Sequence, residues 1–395
     1  MLVCVSVCQA QEAIFDADPQ HIWNRLHCQL YTRTTLDGQS YHQEDLEAAF
    51  VPRSTFLIQG ESHEQAIHLL DEFLQTDAQT LIRDSLSRAI LQRDLWAVFS
   101  ATAYPRLEHQ SQRRELQQRL AQVMRRVALS AEEIAALPDN LEMAIDAETF
   151  PVAYDNAHPE RSFLPRDLMQ SDGDWVPLGN RLRPDGLVAP VHVKATNGRA
   201  VFFMMLRLPT GRAATEKYLA TLQEVQAGQG EIPQIPLGTQ VALLRRLMLI
   251  DDTGQLQLSP LTESLQIRVY QKLEKPDMYE FSLHRHDLLS SRGTGLRPTT
   301  ADTASLFNLG FLSLEPRFRH DPLESNADKT PRIPAVVMQS CAACHPGPGI
   351  YGFQSMFVDH FDKPPLGIGE FADQTSPVID RTYDSYGWGL LQGLW

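Results

Sequence analysis

The chain has 395 residues, 43% of them hydrophobic and 21% charged, the balance of a folded globular protein long enough for two or three domains. Its formal net charge of −14 excludes nucleic acid and anionic membrane surfaces as the main partner. The length is ample for hydrophobic cores, so folding does not depend on a disulfide framework built from its 5 cysteines.

Residues 1–11 read as the remnant of a secretory leader: a short apolar run from Leu2 to Val7, then small and polar residues with a cleavage position after Ala10. Removal of that segment leaves Cys28 as the one cysteine outside the pair at 341 and 344, expected to be unpaired and buried. Residues 12–150 form a predicted helical domain. Ser62 to Gln75 carries Ala66, Leu69, Leu70 and Phe73 on one side, and a second helix is expected from Thr80 to Phe99. Gln110 to Val127 has Leu116, Leu120, Val123, Met124 and Val127 inward and arginines outward. Ser130 and Glu133 then make a capping box before a short apolar run closed by Pro138. Antiparallel packing of these helices into a bundle is the expected arrangement.

After Pro151 the apolar runs shorten and prolines and glycines become frequent. Residues 151–325 are expected to form a mixed, mostly antiparallel β-rich domain. Val191 to Lys194 and Ala200 to Leu206 read as a hairpin around Asn197-Gly198. A helix is expected over Ala214 to Gln226, and strands over Ala242 to Ile250, Gln255 to Leu258, Leu265 to Tyr270 and Met278 to Leu283. At the end of the last strand, alternation puts His284 and His286 on one face, as a metal-binding pair or as a half-exposed strand end. No stretch is long and apolar enough to span a bilayer.

The final part, residues 326–395, carries Cys341-Ala342-Ala343-Cys344-His345. Independent placement of 5 cysteines and 13 histidines in 395 residues would give this spacing in roughly two chains per thousand. Two thiols one helical turn apart can add to the two vinyl groups of a haem, and the histidine that follows reaches the iron. This segment resembles the c-type cytochromes, over the motif and its immediate surroundings. The resemblance implies one covalently attached haem c, with Cys341 and Cys344 as thioether anchors and His345 as the proximal iron ligand. It departs from the pattern of small electron carriers at the distal ligand: downstream of His345 the chain offers only Met356 and His360 as side chains of the usual kinds. A histidine from elsewhere in the chain, or an open position, completes the choice. A redox C-x-x-C, a zinc site of Cys341, Cys344, His345 and His360, and plain packing of buried thiols are the rival readings. A second C-x-x-C-H is absent, which separates the chain from proteins resembling the di-haem peroxidases.

The expected fold class is therefore α+β: an N-terminal helical bundle, a β-rich middle part and a short C-terminal haem c segment. The expected function is electron transfer by an exported, periplasmic mono-haem protein, because haem c is attached outside the cytoplasm. The alternative is a periplasmic haem-c enzyme with an open sixth iron site beside Arg292, His284 or His286, reducing peroxide or oxidising a small-molecule substrate. Acidic residues outnumber basic ones after His345, so a redox partner protein docking there is expected to present a basic face. The aromatic C-terminus, with Tyr383, Tyr386, Trp388 and Trp395, suits either the edge of a haem or docking of the tail.

Overall fold

The computed structural model describes residues 15–34, 40–41, 56–105, 108–180, 186–226, 232–290, 293–299, 304–305, 335–336, 345, 347–352 and 366–395. The described chain is α+β, with helices in the N-terminal half and one seven-stranded antiparallel sheet following them. The helices are α1 (Ile22–Tyr31), α2 (Gly60–Gln75), α3 (Ser85–Thr102), α4 (Gln110–Val127), α5 (Ala131–Ala135) and α6 (Asn140–Asp146). The expected apolar stripe of α4 is buried, and the predicted capping box holds the start of α5. The second expected helix starts later than the sequence suggests. A single 3₁₀ turn, Ala78–Leu81, precedes it, and Asp84 then accepts the Ser87 N–H (2.7 Å) to begin α3. From Ala89 to Ser100 α3 is buried on every side, including Gln92, Arg93 and Asp94. It is the central helix, wedged between the other helices and the sheet.

The sheet strands are β1 (Val176–Gly179), β2 (Ala200–Arg207), β3 (Thr239–Ile250), β4 (Leu256–Tyr270), β5 (Asp277–Leu283), β6 (Leu296–Pro298) and β7 (Gly367–Ile368), in the order β7-β1-β2-β3-β4-β5-β6. Leu256–Tyr270 is one continuous strand where two short ones are expected. Two two-residue ladders, Arg33–Thr34 with Ser40–Tyr41 and Ala304–Ser305 with Ala335–Val336, stand apart from the sheet. Strand β2 reads AVFFMMLR and is buried on both faces, which explains its unbroken apolar run.

The expected hairpin at Asn197-Gly198 is not formed. Pro190–Thr196 is a helix, α7, with Pro190 in its first turn and Asn197 in the left-handed conformation at its C-terminus (φ 49°). Asn-Gly serves a hairpin turn and a helix stop equally well, and here it stops a helix. Arg212–Gln226 is α8, beside β7 and β1. Arg285–Leu289 is α9, so His284 caps a helix and His286 is exposed within it; the two do not share a strand face.

The C-terminus forms α10 (Phe371–Tyr383) and α11 (Tyr386–Gln392), and it docks on the helical part. Trp388 packs on Trp96 (6.2 Å between ring centres) and Tyr383 (5.3 Å), and Arg125 donates to the Trp395 carbonyl (2.8 Å). Cys28 also departs from expectation, since it is disulfide-bonded. Its partner is one of the other four cysteines, all outside the described residues.

Three buried amides close backbone groups that the sheet leaves open. Gln92 of α3 pairs with both the N–H and the C=O of Ile250 (2.9 and 2.7 Å), and Asn140 of α6 does the same at Thr262 (2.7 and 3.0 Å). Gln374 of α10 does so at Met204 (2.7 and 3.3 Å), just past the last paired residues of the β1–β2 ladder. Each amide offers one donor and one acceptor, the complement of a peptide unit. Helices and sheet thereby share one continuous core.

Candidate functional site

Register fixes which side chains share a face of the sheet, since residues opposite each other across a ladder point the same way. One row is Phe202, Arg245, Ser264 and Ser282; the next is Met204, Leu243, Gln266 and Glu280; a third is Leu206, Val241, Arg268 and Met278. This face therefore mixes an apolar floor with two arginines and a carboxylate. The opposite face is apolar, with Phe203 against Phe371 (5.3 Å) and Phe281 against Phe150 (5.0 Å).

Two histidines stand over the mixed face. His192 projects from α7 with its ring 5.3 Å from that of Phe202. His345 lies beside it: the two imidazole centres are 6.4 Å apart and the rings are within 19° of parallel. His345 Nδ1 is 3.1 Å from the carbonyl of Gly352. A carbonyl only accepts, so Nδ1 carries the proton and the lone pair of the neutral ring is on Nε2. Arg268 Nη1 donates to the same carbonyl (3.0 Å).

The turn that supplies this carbonyl, Gly349–Gly352, is pinned to the loops flanking β3 and β4. Gln234 Oε1 accepts from the Ile350 N–H (2.7 Å), and the Gly349 N–H reaches the Leu273 carbonyl (2.8 Å). Gly349 sits at φ +55°, and a Cβ at Gly352 would meet the Gly347 carbonyl oxygen at 2.4 Å. The glycines thus let the turn close on itself and against Gln234.

His192 is half-buried at the surface and crowded by protein atoms. Burial pushes its pKa down to about 4, and the nearby Arg268 and Arg245 guanidiniums push the same way. The ring is therefore neutral at physiological pH. Neither of its nitrogens has a hydrogen-bond partner among the described residues. Across the floor, burial raises Glu280 to about 7, partly offset by the hydrogen bond from Gln266 (3.3 Å) and by Arg245 and Arg268.

Nearby lies a buried ionic cluster. Arg245 sits over the Phe202 ring (6.0 Å) and pairs with Glu263 (2.8 Å), which also pairs with Arg93. Arg285 donates to Asp94 (2.9 Å), and Tyr31 donates to the Asp94 carbonyl (2.6 Å). Arg199 faces the same cluster, and its guanidinium pKa is lowered to about 10 by burial and by Arg93 and Arg245. Four arginines, Arg93, Arg199, Arg245 and Arg285, meet two carboxylates, Asp94 and Glu263. The cluster is electropositive in a chain that is acidic as a whole.

Cys341, Cys344, Met356, His360 and Arg292 lie outside the described residues. His284 donates its N–H to the Gly295 carbonyl (2.7 Å) at the start of α9 and is not brought to His345, nor is His286. Among the described residues no group of three His, Cys, Asp or Glu side chains is placed to hold a metal ion. His192 was not singled out by the sequence, because Val191 to Lys194 read as a strand. Pro190 before it and Asn197-Gly198 after it were the signals of a short helix.

The donor set can be tested against a haem. Two imidazoles, an apolar floor of Phe202, Met204 and Leu243, and two guanidiniums beside it are what a flat apolar ring with anionic propionates requires. The residues fit. No family model, no curated protein and no solved structure matches the chain. Among the described residues no helix is long and apolar enough to cross a membrane.

Proposed function

We propose that the protein is an exported mono-haem c-type electron-transfer protein. The observation that carries the reading is the hydrogen bond of His345 to the Gly352 carbonyl, made one residue after the C-x-x-C pair. It fixes the ring tautomer with Nε2 as the donor atom, the arrangement in which a ligating histidine holds its other ring N–H against a carbonyl. Cys341 and Cys344 would attach the group covalently, and the positive charge of Arg245 and Arg268 would favour its anionic propionates. A haem held there would supply one-electron transfer between a donor and an acceptor. The protein's own residues hold His345 through Gly352 and keep the floor dry through Phe202, Met204 and Leu243.

The disulfide at Cys28 belongs to an oxidising compartment and supports export. It also constrains the reading. If Cys341 and Cys344 hold haem, Cys28 is left with Cys4 or Cys8 as its partner. That cysteine then stays in the mature chain, and cleavage after Ala10 does not take place.

The test is intact mass spectrometry of denatured protein made in a host with haem-c maturation machinery. The wild type gains the mass of one haem, and the Cys341→Ala/Cys344→Ala variant does not. Equal masses, each matching the bare polypeptide, would remove haem c from the protein.

A further inference from the structure

We infer that His192 is the sixth ligand of the haem, opposite His345, so that the iron is closed on both sides by imidazole. This rests on the haem reading above and goes beyond the motif, which names only the proximal ligand.

The geometry points to it in three ways. Two imidazoles on opposite sides of one iron place their ring centres about 6 Å apart, from iron–nitrogen bonds of about 2 Å and about 1.1 Å from each nitrogen to its ring centre. The observed separation is 6.4 Å, with the rings nearly parallel at 19°. The separation of the two rings is thus the one that two imidazoles sharing one iron require. The second point is that both holders are rigid. Helix α7 is packed on β2 and begun by Pro190, while His345 is tied through Gly352 to Arg268 of β4. The spacing is thus set by the sheet. The third is that the His192 nitrogens have no hydrogen-bond partner among the described residues, although the ring is crowded by protein. Its nitrogens are therefore not tied to protein groups among the described residues, and one of them is available to a metal.

The competing ligands are less well served. His284 and His286 are committed to the start of α9, away from His345. Met356 and His360 lie outside the described residues and are decided by the experiment. An iron closed by two strong ligands binds small molecules poorly, which favours electron transfer over peroxide reduction.

The wild type and His192→Ala are produced in a haem-c maturing host, and covalent haem is measured first in both. The ferric iron is then examined by electron paramagnetic resonance and visible absorption, and the ferrous iron by carbon monoxide binding. The wild type is expected to be low-spin and slow to bind carbon monoxide. His192→Ala is expected to keep its haem, become high-spin and bind carbon monoxide at least tenfold faster. Imidazole added to the buffer should restore the low-spin spectrum, which a merely structural role would not allow. Should the variant fail to fold, near-infrared magnetic circular dichroism of the wild type alone separates two nitrogen ligands from nitrogen with sulfur. Covalent haem in a high-spin wild type, a sulfur-ligated wild type, or a His192→Ala that stays low-spin each overturns the inference and leaves the haem reading intact. A wild type without haem removes both.

Discussion

Glu263→Gln should cost the fold about 3 kcal/mol at neutral pH and much less in acid. Glu263 is buried between Arg93 and Arg245, and those two guanidiniums, with Arg285, hold its carboxyl at about 2 although burial opposes ionisation. Moving it from 4.5 in the unfolded chain to about 2 in the fold is worth about 3 kcal/mol at 1.4 kcal/mol per tenfold in affinity for the proton. An independent estimate agrees: removing one partner of a buried ion pair typically costs about 3–5 kcal/mol. The sign follows from the direction of the shift. A depressed carboxylate contributes fully above its unfolded value and loses that contribution as pH falls towards its folded value. Glutamine resembles the protonated acid, so the two proteins converge as Glu263 takes up its proton. At pH 3 the difference should fall to about 1 kcal/mol. Urea unfolding followed by the fluorescence of the buried tryptophans Trp23, Trp96, Trp175 and Trp388 at pH 7 and pH 3 measures both values. A loss under about 1 kcal/mol at pH 7, or the same loss at both pH values, would refute the reasoning.

Asn140→Leu removes both partners of the Thr262 peptide unit inside the core and should cost about 2–4 kcal/mol in the same unfolding assay. A cost below about 0.5 kcal/mol would mean that the amide does not close that gap. Glu280→Gln should act in the opposite sense to Glu263→Gln. Its pKa is raised to about 7, so ionisation burdens the fold above that pH and not below 4.5. The glutamine variant should be more stable than wild type at pH 8 by no more than about 3 kcal/mol, since some solvent contact remains, and equal to it at pH 4. A difference independent of pH contradicts this. Peptide mapping without reduction should find Cys28 linked to Cys4 or Cys8; a link to Cys341 or Cys344 would exclude covalent haem at both thiols.

How much of this was legible in the sequence depends on the range of the interactions. Helix α4 was readable because Leu116, Leu120, Val123 and Val127 repeat at the helical period and meet nothing unusual. The sheet strands β3 and β5 were readable from alternation, and β2 from its unbroken apolar run. Local signals failed where they serve two structures: Asn197-Gly198 stops α7 instead of turning a hairpin, and the chain enters α9 at Arg285 instead of extending His284 and His286 along a strand. Helices α10 and α11 went unseen because Pro377 lies inside the first and the second is one short, glycine-containing piece. At the site, His345 was singled out because its motif is local in sequence, while Cys341 and Cys344 lie outside the described residues. His192 was not, because its meaning comes from the register that sets Phe202 beside Arg245 and brings α7 over the sheet. The ionic cluster is equally nonlocal: Arg93 and Asp94 look like surface residues on a helix until the sheet supplies Glu263 and Arg285 supplies a counter-charge.

The most direct measurement is a pyridine haemochrome spectrum of the protein exported by a haem-c maturing host. An alpha band of the kind given by two thioether links, at one haem per chain and lost in Cys341→Ala/Cys344→Ala, is the expected result. Colourless protein from a host that matures a control cytochrome would contradict it.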